Sequence, residues 1–589
     1  MRPRALSILC PALLLLALAG ALAGIRAPSP AGDEATSVMI VQSLWHDHDL
    51  TYREADLRRA DRIWDGGPAG LALFTNDGGN TLRYGRPLAY PLAVLPFYAL
   101  FGLTGIALFN MALFLAMAVA ALWTTSGWTT SGEAGPAPLF VAGFFFASAA
   151  FAYAFRLEPE VFLMACVFFP LLVWQRLRTI PEEGRGSLAA LAGAGILLGA
   201  ALTSSPLLAL LGLPILIDLL MARASRRRWR GLAAVIAAAL LTAGLLALIQ
   251  RAGTGSWTPF GGAQRRTFET EFPLQSARDL WQGYGSETAG GASPDLADGP
   301  RLLPRNLGYA LAGRSTGLLP YFPFALLALA LYVFGPKDRS RHLLAAALAA
   351  YVVIVLLVHP HDFAGAAGFL GSRYLALIYP AFLFLPGRLG SRRSLALPYL
   401  AAGLWTAVAV AGSLTGQLHT AVPTFQRLPL ELTLLPGDHL PGFFTQTWGD
   451  AVWIVPRGAF FAEEHHPHGV WVRGGTRSEV IVVSPKPLSR LAFTVYALAP
   501  DGVLTLDSGV DRLTVRFDTE GKRDGTPVDL ALRPVARDLG FFPEPAPKRE
   551  FFYRFTLETT AGLVPARVDP KSRDPRYLGV FLDFTGEGP

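Results

Sequence analysis

A succession of long apolar runs dictates what this chain can fold into. They fill roughly residues 5–25, 103–123, 137–153, 160–175, 187–203, 206–221, 231–250, 318–334, 343–358, 374–386 and 396–412. Each is close to the ~20 residues that a helix needs to cross a bilayer, a few being short enough to need their flanks. With 52% hydrophobic and 16% charged residues, the chain is too apolar for a soluble protein of 589 residues. The expected class is an α-helical polytopic membrane protein. The net charge of +7 does not point to nucleic acid, because the arginines cluster in short loops between apolar runs and act as topology signals.

One piece, 88–101, is apolar but broken by Pro91 and Pro96. If it does not cross, the loops that face the cytoplasm are the Arg-rich ones: Arg2 and Arg4; Arg176, Arg178 and Arg185; Arg223, Arg226, Arg227, Arg228 and Arg230; Lys337, Arg339 and Arg341; Arg388, Arg392 and Arg393. If it did cross, Arg226–Arg228 would face outward, against the positive-inside rule. About eleven spans follow, with 88–101 re-entrant or interfacial. The first run, after Met1-Arg2-Pro3-Arg4, reads either as an anchor or as a cleaved signal peptide.

Beyond Gly412 the pattern changes to short alternating stretches such as Glu479–Val483, Leu491–Tyr496 and Arg512–Phe517, punctuated by Gly, Pro and Asp. This predicts a β-sandwich of about 130–150 residues. The organisation is therefore a first helix at 1–25, an external segment at 26–102, a multi-span domain at 103–412 with a long external loop at 251–317, and an extracytoplasmic β-rich domain at 413–589. The two cysteines, Cys10 and Cys166, lie in apolar runs and support no disulfide framework or Cys-based metal site.

This topology places four polar features on the extracytoplasmic side: Gly32-Asp33-Glu34, the turn Arg156-Leu157-Glu158-Pro159-Glu160, the 251–317 loop, and the turn from His359 to Tyr374. Val38, Val41, Leu44 and Trp45 recur at helical spacing after Asp33, so that segment reads as an amphipathic helix at the membrane surface. Asp33 and Glu34 then occupy its first turn, where capping and the helix dipole alone would favour acids. Glu158, Pro159 and Glu160 likewise make a good helix start without any chemistry. Arg373 offers a permanently charged fork for a phosphate, or snorkels to the interface. Tyr374 reads as an interfacial anchor or a hydroxyl contact.

The Asp-Glu pair after the first span, the Tyr/Pro-rich approach from Tyr84 to Pro96, the Pro159-Glu160 start, Gly317-Leu318-Leu319-Pro320-Tyr321-Phe322-Pro323, and Gly371-Ser372-Arg373-Tyr374 together resemble the GT-C superfamily of membrane glycosyltransferases. The likeness covers about residues 1–412 and is nearest to the protein mannosyltransferase and aminoarabinose transferase group. It implies an inverting transfer of a sugar from a polyprenyl-phosphate donor to an envelope glycan, lipid or protein acceptor, by a multi-pass protein of the inner membrane whose catalytic loops are extracytoplasmic. It further implies Asp33 as the base on the acceptor hydroxyl, Glu34 as an orienting group or a partner in holding a cation, and Glu160 as a second acid with Glu158 competing. Tyr84, Arg373, Tyr374 and Arg314 are expected on the substrate side. No cofactor is required by the motifs, and a divalent cation is left open.

Trp45-His46-Asp47-His48-Asp49, the set His359, His361 and Asp362, and His465-His466-Pro467-His468 carry metal-binding residue types, but each reads more simply as a polar loop. In 251–317, Trp257, Phe260, Arg265, Arg266, Trp281, Tyr284, Arg305, Asn306 and Arg314 mix aromatic and basic groups as a lid over an anionic lipid-linked sugar would. No phosphate-binding Gly-rich loop, zincin or nucleophile-elbow pattern stands in a credible context. A transporter of envelope precursors is the first alternative, although its ionisable groups would be expected near the midplane of the spans, which here are nearly free of charge. A non-catalytic glycan-binding membrane protein is the second.

Overall fold

The computed structural model describes residues 32–64, 68, 70–125, 136–179, 185–221, 226–260, 265–268, 286–287, 299–313, 316–360, 363, 371–389, 391–414, 443–448, 450–456, 459–462, 468–517, 525–534, 536–537, 551–569, 571–572, 574 and 576–584. The run at 5–25, Cys10, Arg314, His361, Asp362 and the His465–Pro467 tract lie outside them.

The chain begins with α1 (Asp33–His46), followed by β1 (Thr51–Tyr52), α2 (Glu54–Asp61), β2 (Leu71–Phe74) and β3 (Leu82–Tyr84). The Pro-broken piece is a 13-residue helix, α3 (Ala89–Phe101), which ends at Gly102. Then come α4 (Leu103–Thr125), α5 (Pro136–Phe146), the single turn α6 (Ala150–Tyr153), α7 (Glu160–Thr179), α8 (Arg185–Ser204), α9 (Leu213–Met221) and α10 (Arg226–Thr254). The second half of the membrane domain holds β4 (Arg265–Phe268), β5 (Ser286–Glu287), α11 (Gly299–Ala312), α12 (Leu318–Tyr321), α13 (Pro323–Phe334), α14 (Arg339–Val358), α15 (Arg373–Phe382) and α16 (Arg392–Leu414).

Five helices, α4, α7, α8, α10 and α14, are long and apolar enough to cross a membrane, and shorter apolar helices stand beside them. The chain is a membrane protein. The segment expected as an external loop at 251–317 is partly built: α10 runs on to Thr254, β4 pairs with β2, and α11 is a full helix.

One expectation is overturned. α1 is not a surface helix, because every residue from Glu34 to Ser43 is buried. It packs on α3, and two of its buried hydroxyls, those of Thr36 and Ser43, are hydrogen-bonded. Thr36 Oγ1 donates to the Gly32 carbonyl and accepts from the Ala72 backbone N–H, both at 3.0 Å. A small antiparallel sheet, β1-β3-β2-β4-β5, is thereby fastened over the helix.

The C-terminal part is made of two antiparallel sheets, one of seven strands and one of five. In the first sheet β10 (Arg477–Ser484) pairs with β7 (Ala451–Pro456) and β16 (Phe551–Thr559); in the second β17 (Leu578–Asp583) pairs with β9 (Gly469–Arg473) and β11 (Arg490–Ala497). Alternation sends Trp453, Val480, Val482 and Phe555 of one sheet and Val472, Phe493, Val580 and Leu582 of the other into a shared apolar core. Ile454, Ile481 and Phe552, on the opposite face of the first sheet, belong to the same buried cluster as the membrane helices. That sheet therefore docks on the membrane domain.

Candidate active site

Three helix starts converge, those of α1, α7 and α15. Asp33 is the first residue of α1, after Gly32, and no side chain caps that end. The carboxylate leaves its own helix and forms ion pairs with Arg86, in the turn before α3, and with Arg373, the first residue of α15. Arg373 Nε also lies 2.6 Å from Glu160 Oε1, at the first position of α7. Side-chain exposure is 8% for Asp33, 22% for Arg86, 17% for Arg373 and 1% for Glu160, so these charges sit in a poorly solvated place. Ions removed from water in this way persist only with close partners, and Arg373 supplies one to two acids at once.

The local sequence explains the position of Arg373. Ser372 Oγ caps α15 by accepting from the Leu375 N–H at 3.4 Å, and it donates to the Phe363 carbonyl at 2.7 Å. Gly371 has φ +75°, and a Cβ there would come within 3.0 Å of the Tyr321 ring. Only glycine fits that turn comfortably. Tyr374, next along, stacks on His359 with ring centroids 5.1 Å apart and planes 10° from parallel.

Glu34 and Glu158 stand behind this centre. Glu34 Oε1 accepts from the Leu157 backbone N–H at 2.8 Å, and Arg156 Nη2 lies 3.4 Å from Glu158 Oε1. Burial pushes the Glu158 carboxyl well above the usual range, while Arg156 opposes the rise. The arginines also act on one another. Burial, followed by the nearby guanidiniums of Arg265 and Arg373, lowers the proton affinity of Arg86. Arg265 comes from β4, whose pairing with β2 sets it opposite Phe74. Carboxylates interleaved with three arginines form a centre suited to an anion and a neighbouring proton acceptor.

Asp33, Glu34, Glu158, Glu160, Arg373 and Tyr374 are thus brought into one neighbourhood. Tyr84 is not: it is buried on β3, with its ring centroid 5.8 Å from that of Tyr52, and it lies near Asp56 and Arg59. The structure places it with that second charged group instead. Of the lid residues, Arg265 joins the centre, Trp257 is exposed, and Asn306 is buried with its amide donating to the Pro360 carbonyl at 2.8 Å. Arg86 is the residue that sequence reasoning did not single out, and its one signal was its place directly before Pro87 at the entry of an apolar helix. Among the described residues, no group of three or more His, Cys, Asp or Glu side chains is arranged to hold a metal ion. The Asp33 and Glu34 pair fits a cation poorly, since one carboxylate is engaged by two guanidiniums and the other by a backbone N–H.

No family model matches the chain, and no curated protein matches it. Among solved structures, the crystal structure of ArnT from Cupriavidus metallidurans bound to undecaprenyl phosphate is similar at 16% sequence identity and a TM-score of 0.40, with 68% of this chain and 64% of that chain covered. The apo crystal structure of the same protein is similar at 15% identity and a TM-score of 0.33, covering 70% of this chain and 78% of that one. The chain thus spans a little under two thirds of the length of the first.

Proposed function

We propose that this protein is an inverting glycosyltransferase that moves a sugar from a polyprenyl-phosphate donor to an envelope glycan, lipid or protein acceptor on the extracytoplasmic side of the inner membrane. The observation that carries this reading is the buried Asp33 carboxylate held between Arg86 and Arg373, with Glu160 bound to the second of them. A phosphate leaving group needs guanidinium forks, and an attacking hydroxyl needs an acceptor for its proton. Both types of group meet here.

In this reading the donor phosphate enters among Arg86, Arg373 and Arg265 and takes over part of their charge. Asp33 is released from some of that pairing and accepts the proton of the acceptor hydroxyl. The hydroxyl oxygen bonds to the anomeric carbon from the face opposite the phosphate, the bond from that carbon to the phosphate oxygen breaks, and the polyprenyl phosphate departs with both electrons. Glu160 keeps Arg373 oriented while the phosphate gains charge. Glu34 holds the 156–158 turn through the Leu157 N–H.

The test is transfer of labelled sugar from membrane polyprenyl-phosphate sugars, comparing the wild type with Asp33→Asn purified in the same way. Loss of transfer by a folded variant is expected. Equal transfer by both, or none from the wild type with any available donor, would sink the reading and bring uptake assays for a transporter forward.

A further inference from the structure

We infer that Asn110, on the membrane helix α4, is a positioning residue that sets the place of Glu158 and Glu160 by holding the backbone of the turn at 154–159. Its kinetic consequence rests on the transfer reading above.

Asn110 is fully buried. Its amide nitrogen lies 2.7 Å from the Arg156 carbonyl, 3.0 Å from the Glu158 carbonyl and 3.1 Å from the Tyr90 hydroxyl oxygen. From α1, Glu34 Oε1 takes the intervening Leu157 N–H at 2.8 Å. Three consecutive residues of the turn are therefore held through their backbones by side chains of two other helices. A carboxamide suits the α4 side of this clamp because it offers two N–H donors to carbonyls that no helix of their own would satisfy.

The amide oxygen of Asn110 has no hydrogen-bond partner among the described residues. Its contribution is donation. The turn runs directly into Pro159 and Glu160, and α7 is locked onto it by the Leu163 N–H bond to the Pro159 carbonyl at 2.9 Å. A shift of the turn therefore moves Glu160, which in turn moves Arg373 and, through it, Asp33. The residue touches none of these groups itself and acts through the backbone.

Asn110→Asp keeps the shape but sets a carboxylate against two carbonyl oxygens, and Asn110→Leu removes the donors at similar volume. Asn110→Ser keeps one donor and serves if either of these variants fails to fold. The full-length protein in nanodiscs is assayed for kcat, for KM of the lipid-linked donor, and for hydrogen exchange of the Leu157 amide. We expect kcat to fall tenfold or more in Asn110→Asp and Asn110→Leu and less in Asn110→Ser, with donor KM changed less than threefold and Leu157 exchange at least tenfold faster. Faster exchange with unchanged kcat would overturn positioning and leave a structural contact. Unchanged exchange would overturn the clamp. Exchange that rises as expected, in a protein whose wild type transfers no sugar, would support the clamp and sink only the transfer reading.

Discussion

Acids pair with arginines at both ends of α1, yet the two groups are built differently. At the C-terminal end, Arg59 lies 2.6 Å from Asp47 and 3.0 Å from Asp56, and Asp56 accepts the Arg53 N–H at 2.9 Å in the capping box of α2. Asp47 is itself the C-cap of α1, and His46 lies 3.3 Å from the Tyr98 hydroxyl. Most of this network is local in sequence, and helix capping accounts for it. At the N-terminal end, Asp33 makes no cap, and its partner Arg373 is 340 residues away. An ion pair made across the whole fold, at the cost of desolvation, is weak evidence for stability and better evidence for a site.

The sharpest way to break this contrast is to remove one carboxylate from each end. Asp33→Asn should lower sugar transfer by about 10²–10⁴-fold, the usual contribution of a positioned base. Asp56→Asn should leave transfer within about threefold, since its neutral oxygen can still accept the Arg53 N–H and the change costs little of a capping contact. If the two variants lose activity alike, the ends are not functionally distinct. The next effect in size concerns the arginines. Arg86→Ala should weaken turnover or donor affinity about 10–100-fold, as expected for one charge-assisted pair worth about 1.5–3 kcal/mol. Arg373→Lys should cost more than Arg86→Lys, because a single ammonium cannot reach Asp33 and Glu160 through two separate nitrogens as the guanidinium does. Initial rates over a donor titration separate these outcomes, and equal losses for the two Lys variants would count against the bridging role.

Asp33, Glu160 and Arg373 were legible in the sequence because each opens an apolar run just after a residue that starts helices or turns: Gly32, Pro159 and Ser372. Asn110 was hidden for the opposite reason. A lone polar residue within an apolar run gives no hint of the turn 46 residues away that it will bond. α1 misled because apolar residues at helical spacing do imply one apolar face, but not that the other face is wet. Thr36 and Ser43 on that face are satisfied by Ala72 and Asp49, contacts that depend on chain returns no local pattern announces. Strand positions beyond Gly412 followed from alternation, whereas the pairing of β10 with β7 and β16 depends on long connections that alternation does not encode.

The smallest expected effect is a pH dependence confined to the capped end of α1. Burial raises the Asp56 carboxyl from 3.8 to about 7, and the Arg53 N–H bond and Arg59 only partly offset this. The folded protein therefore keeps a proton that the unfolded chain has already lost. The stabilisation is complete below about pH 4, declines as pH rises, and is gone above about pH 7, amounting to a few kcal/mol at most. His46 acts in the opposite sense: burial lowers its affinity for a proton, so its contribution grows as pH rises through the ordinary histidine range. Comparison of wild type with Asp56→Asn isolates the carboxyl, because His46, Asp47 and Arg59 are present in both. Thermal unfolding in detergent between pH 4.5 and 7.5 should show the wild type losing stability relative to the variant as pH rises, with parallel curves above pH 7.5. Curves parallel over the whole range would mean that Asp56 is ionised in its pair with Arg59, and the two ends of α1 would then differ only in how far their partners have travelled along the chain.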